Sequence, residues 1–546
     1  MIDRRRRIVL GAAIALVLVV LTGARIVLVD RLADQGWLQT YVDPADRILE
    51  GRAPHVADVS PVYLALVVVS RFLGMSVEAI RAMQIAMLTL AALFCALAAK
   101  RLSGWIAAIA TAVLILGNRA ALVVCSELDP KALIFLLTSA ALWSLLRGWN
   151  VAAGILFGLG AATHPYGYVL LFIALVWSRS WRLGVVAAIP IVAVIALSPV
   201  ETHSGTQFYE GNNALATGCA GVTPRVVTEL QAQRRWPSPD PAYRFIAERA
   251  GANPKRYWRD KAFAFIREYP FAALRRFATK ALLTIHHFDV YDIVTAQRRG
   301  HQLARFPAIS FGVPFVLAIA ALVLCARRRE LVPLALFAIA LIVLLTIFVV
   351  SARQRNVLLA PLAILGGIGV AEIVALARSR IEHALLAFGA VLIAAALLGI
   401  ESAPMREYDH MWRSALHLPV DPLSPPHLFD QAIALERAGR WQVADLVLAS
   451  LGDYRPRRQS AAVSSVAYYR ARAAIATGRS PEAFLERAYA EAPGDPHVLA
   501  LRAATAMDHQ AARLLDELHD PLTRDRALRH AFGTARRSGS SSGAGR

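Results

Sequence analysis

The chain has 546 residues, 57% of them hydrophobic and only 18% charged, with a mean hydropathy of +0.47. Soluble globular proteins run near about 45–50% apolar and about 25% charged, so a soluble enzyme and a disordered scaffold are both excluded. The net charge is +20, but its arrangement speaks against nucleic acid. The basic residues sit in short clusters between apolar runs: Arg4 to Arg7, Lys100-Arg101, Arg179 with Arg182, Arg327 to Arg329, Arg378 with Arg380. That is how cytoplasmic loops of membrane proteins are charged.

Taken in chain order, the first element is an apolar run over 8–29 behind the basic start. It is longer than a signal-peptide core and no small-residue cleavage site closes it before Arg25, so it reads as an uncleaved span entering from the cytoplasm. Further runs follow at 80–99, 104–121, 131–147, 150–164, 166–178, 183–199, 307–326, 331–350, 356–377 and 382–400. Each is close to the roughly 20 residues that cross a bilayer. The expectation is an all-α, polytopic membrane protein with about eleven transmembrane helices over 1–400. Alternating sides from an inward start leaves the arginine-rich short loops inside. It places 30–79, 118–130, His164-Pro165, 200–306 and 351–356 outside, along with everything after residue 400. Arg353 and Arg355 are then on the side the charge bias disfavours. The expected location is the inner (plasma) membrane of a bacterium, with the site and tail extracytoplasmic.

The tail has a different texture. Segments 432–444 and 468–504 carry small and apolar residues at helical spacing around glycines and close on Pro493-Gly494-Asp495-Pro496. They resemble tetratricopeptide helix pairs, so 401–537 is expected to form a small helical-repeat domain. The Gly/Ser-rich stretch 538–546 is expected to be disordered. Four cysteines do not make a disulfide framework.

Polar residues that lipid would penalise gather in the expected outer loops. The first loop carries Tyr41-Val-Asp43-Pro-Ala-Asp46, then Ser60-Pro61-Val-Tyr63. Asp43 at the interface is placed to take a proton from an acceptor group; equally, Asp before Pro is a common helix start, so it is also read as a cap. Glu127 and Asp129 lie between two spans, where acids often mark a site, although Asp129 also fits a helix cap and Glu127 a solvated position. His164 sits at a break between two short runs, suited to an anion or to interfacial hydrogen bonding, without the spacing of a metal site. Tyr209, Asn212 and Asn213 open the large loop, where Gly and Asn also fit a turn. Arg353 and Arg355 precede a late span, and paired guanidiniums suit a phosphate. Headgroup anchoring is the alternative.

The ordered set resembles the GT-C glycosyltransferases, multi-spanning enzymes that take sugar from polyprenyl-phosphate donors and include protein mannosyltransferases and the aminoarabinose transferase of lipid A. The resemblance rests on an acidic first loop ending in Gly…Ser60-Pro61-x-Tyr63, the acids before the fourth span, Phe208-Tyr209-x-Gly211-Asn212-Asn213, and Ala352-Arg353-x-Arg355. The stretch 250–270 is also similar to the large outer loop of that class. The likeness covers about 1–400. It implies Asp43 as base or acceptor-orienting acid, with Asp46 three positions on where relatives often carry an adjacent acidic pair. It further implies Glu127 as a supporting acid, and Arg353, Arg355 and His164 toward the donor phosphate. His164-Pro165 stands where relatives often have Arg-Pro, and Gln354 where they often have Tyr. The implied activity is inverting transfer of a hexosyl or pentosyl group to an extracytoplasmic glycan, lipid or protein. The partners are then a lipid-linked donor, that acceptor and membrane lipid; the residues suggest no cofactor, no metal and no nucleic acid. An O-antigen-type ligase or polymerase, a transporter and a non-catalytic scaffold presenting the helical tail are the competing readings. A scaffold would scatter Asp43, Glu127, His164 and Arg353.

Overall fold

A computed structural model describes residues 41–52, 60–121, 127–197, 204–213, 216, 254–287, 309–379, scattered positions in 382–395, and 425–506 with short gaps. The first expected span, most of the last, and the 538–546 stretch lie outside the described residues. Within them the secondary structure is helical, apart from an isolated bridge between Asn118 and Ile309. Among the described residues three helices are long and apolar enough to cross a membrane, and six shorter helices of 10–17 residues are apolar. The chain is a multi-pass, all-α membrane protein.

The chain forms two compact units, residues 1–207 with 271–401 and residues 208–270 with 402–546. The first begins with α1 (Asp43–Leu49) and α2 (Pro61–Phe72), which fold the expected outer loop into a helical pair. Helix α3 (Val77–Leu116) runs 40 residues, about twice what one crossing needs. Its backbone breaks at Ser103 and at Gly104, whose φ of +83° favours glycine. The chain reverses there, so the expected spans 80–99 and 104–121 are the two arms of one hairpin.

Then come α4 (Lys131–Leu146), α5 (Asn150–Thr163), α6 (Tyr166–Ser178), α7 (Trp181–Leu197) and α8 (Ser204–Gly211). After α9 (Pro254–Glu268) and α10 (Pro270–Ile285) the bundle resumes with α11 (Gly312–Leu324), α12 (Val332–Ile347), the short α13 (Ala352–Arg355) and α14 (Leu359–Ser379). Helix α14 is the axis of the bundle, buried from Leu359 to Ile368. It packs antiparallel to the second arm of α3: Thr111 Oγ1 donates to Ala363 O at 3.1 Å, and Ser103 Oγ meets Glu372 at 3.4 Å. A Cβ added at Gly367 would meet Ala107 O at 2.5 Å, and one at Gly158 would meet Ala187 O at 2.4 Å. Small residues permit both approaches, the usual device where lipid supplies no hydrophobic force between helices.

Polar contacts sort the loops into two ends. At one, Arg101 Nε donates to Leu146 O (3.1 Å) and Arg328 joins Ser103 and Glu372 (2.9 and 3.0 Å). At the other, Asn118 pairs with Ile309, Glu127 with Arg353, and Lys131 with His164. These are the groupings that charge alternation assigned to opposite sides.

In the second unit, α15 (Pro425–Arg437) with α16 (Trp441–Ser450) and α17 (Val466–Ala476) with α18 (Glu482–Glu491) form two helix pairs, followed by α19 (Pro496–Ala506). Gly439 and Gly478 turn each pair at φ of +75° and +70°. Phe429, Leu448, Tyr468, Tyr469, Leu485 and Val498 share one core.

Candidate functional site

The site end of the first unit is built on the loop before α4. Leu128 packs into a cluster with Tyr41, Val42, Ala45 and Tyr63, so α1 and α2 are docked directly on the Glu127–Asp129 turn. Tyr41 stacks edge-on against Tyr63 at 4.7 Å and its hydroxyl accepts from Ser60 N. Burial, together with the Asp129 carboxylate, raises its ionisation well above the usual phenol range. Asp129 is held from two sides: Gln84 Nε2 donates to its carbonyl at 3.0 Å, and its Oδ1 accepts from Lys131 N at 2.8 Å. That second bond is a turn closed from the residue before the N-cap, which is Pro130, onto the first residue of α4.

The two acids of the first loop separate. Asp46 is ion-paired with Arg71 on α2, at 2.9 and 3.3 Å. Asp43 opens α1 as its first residue, one position past the N-cap, which is Val42, and it is exposed. The cap alternative for Asp43 therefore finds no support in the geometry, and α1 has only the helix's positive end to favour its acid there.

The two arginines separate as well. Arg353 reaches Glu127, 226 residues away, with Nε and Nη2 at 2.9 and 2.8 Å from Oε2. Glu127 is buried while Arg353 keeps 20% of its side chain exposed. Arg355 was expected beside it at the phosphate but is fully buried: Nη1 donates to Leu283 O and His286 O at 3.1 Å, and the guanidinium lies 4.5 Å over the Phe311 ring. The reason is the short α13, started by Ser351 Oγ accepting from Gln354 N, which turns positions 353 and 355 to different sides. Lys280 Nζ donates to Ile347 O and Phe348 O (3.2 and 2.9 Å), tying α10 to the same stretch. Burial, with Arg276 nearby, pushes that amine down to about 7.

His164, at the end of α5, meets Lys131 Nζ at 2.5 Å and stacks 4.2 Å from Tyr166. Lys131 and Tyr41 are the site residues that sequence reasoning passed over. The available signal was a lysine directly after Asp129-Pro130 at a span's start, in a chain with only five lysines.

Tyr209, Asn212 and Asn213 belong to the second unit or its border. Tyr209 stacks on the buried Trp258 at 4.8 Å, and the Asn212 and Asn213 amides donate to Phe208 O and Tyr209 O at 2.8 and 2.7 Å, closing the end of α8. In this unit Lys261 lies over the Trp258 ring at 5.2 Å.

Residues 129–212 match the model of Glycosyltransferase family 87, a segment running from Asp129 to Asn212. Two solved structures are similar to this chain: ArnT from Cupriavidus metallidurans bound to undecaprenyl phosphate, and the same protein in the apo state. Each is 15% identical and is covered over 77% of its length by 98% of this chain, with TM-scores of 0.38 and 0.37. No curated protein matches the chain. The family match bears out the resemblance to a membrane glycosyltransferase.

Proposed function

We propose that the protein transfers a sugar from a polyprenyl-phosphate donor to an extracytoplasmic acceptor in the cell envelope, by inverting displacement. The observation that supports this is that Glu127 pairs with Arg353 and Lys131 with His164 at one end of the bundle, where α1, the helix that Asp43 opens, packs through Val42 and Ala45 on Leu128 beside Glu127. An acceptor hydroxyl or amine attacks the anomeric carbon, and its proton passes to the Asp43 carboxylate. The bond from that carbon to the phosphate oxygen breaks, and polyprenyl phosphate leaves with the electron pair. Arg353 meets the charge that develops on the phosphate, and Glu127 fixes the guanidinium in position. Arg355 holds the segment in place from within. Asp46, occupied by Arg71, orients α1 and takes no proton. Tyr209, Asn212 and Asn213 lie in the second unit, where they order the end of α8.

The test is lipid mass spectrometry of a strain lacking the gene, complemented with native protein or with Asp43→Asn at equal abundance. Loss should leave a polyprenyl-phosphate sugar accumulated, native protein should clear it, and Asp43→Asn should not. No accumulated lipid-linked sugar in the deletion strain would dismiss the reading.

A further inference from the structure

The His164 ring is hydrogen-bonded at both nitrogens, and the two bonds together fix where its proton is. Tyr166 N, at the open start of α6, points its N–H at Nδ1, 3.3 Å away. A backbone N–H only donates, so Nδ1 presents a lone pair. A neutral imidazole with its lone pair on Nδ1 carries its hydrogen on Nε2. That nitrogen is 2.5 Å from Lys131 Nζ, and the hydrogen between them needs an acceptor. An ammonium has none to offer; a neutral amine does. Imidazolium is excluded by the same bond, since it would set a second N–H against that of Tyr166.

The surroundings fit an amine held uncharged but easily charged. Lys131 is buried and lies 5.5 Å from the Tyr166 ring. The charged groups whose fields reach it are Asp129, which is negative, and Arg353, which is positive and itself paired with Glu127. Tyr41 and Tyr166, which also face Asp129, are buried phenols.

We infer that Lys131 is a proton acceptor coupled to phosphate binding: when an anionic phosphate settles beside Arg353, the Lys131 amine takes one proton from water and becomes a second cation for it. The new ammonium has no lone pair left for the His164 Nε2–H, so that hydrogen bond breaks as Nζ turns its own N–H groups to the phosphate; a hydronium equivalent leaves the solvent and an N–H forms. The coupling is stronger for the departing monoester than for the diester donor, because breaking the sugar bond adds a negative charge. This rests on Arg353 facing the donor phosphate.

The experiment is calorimetric titration of the detergent-solubilised full-length protein with undecaprenyl phosphate, in Tris and in Hepes, whose ionisation enthalpies differ. At pH 8, about two units above a phosphate monoester's second ionisation, the lipid has no proton of its own to release. Native protein should take up about one proton per lipid bound. Lys131→Met should abolish the uptake and weaken binding about tenfold, the factor that 1.4 kcal/mol represents. Lys131→Arg, charged from the outset, should bind without uptake. Binding by the native protein with no uptake, or equal uptake in either variant, overturns the inference and leaves the donor reading standing. No binding by the native protein overturns both.

Discussion

At the scale of single residues, the site depends on which of two similar side chains is already occupied. Asp43 is open and Asp46 is held by Arg71 in a pair whose side chains are 39% and 30% exposed. Such pairs contribute at most about 1 kcal/mol. Asp46→Asn should therefore leave transfer close to native, whereas Asp43→Asn should lower kcat by roughly 10²–10⁴-fold, the usual worth of a positioned base. Steady-state transfer at matched protein levels distinguishes them, and equal losses would remove the assignment. The arginines divide in the same way. Arg353→Lys keeps the charge but loses the fork on Glu127, so the apparent donor KM should rise by roughly 10-fold or more, as loss of a charge-assisted bond of about 1.5–3 kcal/mol implies. Arg355→Lys should instead reduce the yield of folded protein, because two buried carbonyls lose their donor. These residues were visible in the sequence as types at marked positions. Their partners were not: nothing in the spacing of Glu127 and Arg353 says that they touch, and the turn that buries Arg355 depends on the Ser351 cap. Lys131 passed unnoticed because its meaning comes from His164, 33 residues away.

At the scale of elements, periodicity and charge located nearly every described helix of the bundle, since a span's length and its flanking arginines are both local properties. What they did not reveal was close packing. Gly154 and Gly158, one turn apart on α5, lie against Leu183 O and Ala187 O of α7. In Gly158→Leu the side chain meets backbone, and overpacking of this kind costs about 1–3 kcal/mol. The variant should lower the aggregation temperature in detergent by several degrees; an unchanged value would mean that α5 and α7 are held apart by something else. In the tail, the Glu436 carboxyl is raised to about 7 by burial, against the opposing pull of Arg472 at 3.3 Å and of Arg437. Its folded value exceeds its unfolded one, so the stability it contributes is complete below about pH 4.5 and is lost as pH rises through 7, by at most roughly 3 kcal/mol. Hydrogen exchange of the full chain, corrected for intrinsic rates, should show α15 and α17 better protected at pH 5.5 than at pH 8. Glu436→Gln should erase the difference, and an unchanged pH response in that variant would place its origin elsewhere.

At the scale of the whole molecule, the two ends of the bundle differ in kind, arginine clusters at one and acids with paired bases at the other. Single cysteines at Glu50 and Arg329, both exposed, should react with a membrane-impermeant thiol reagent from opposite sides, position 50 from outside the cell. Labelling of position 329 from outside would reverse the orientation and remove the extracytoplasmic acceptor. The pairing of Glu127 with Arg353 also carries a consequence for how the protein is made. The acid is synthesised 226 residues before its partner, and at roughly 5–20 residues per second the interval is on the order of tens of seconds. During that time the first membrane helices are inserted with a carboxyl group lacking its mate. A nascent chain stopped before residue 353 lacks both this guanidinium and α14, the axis of the bundle, so the ion pair forms only once about two thirds of the chain has been made.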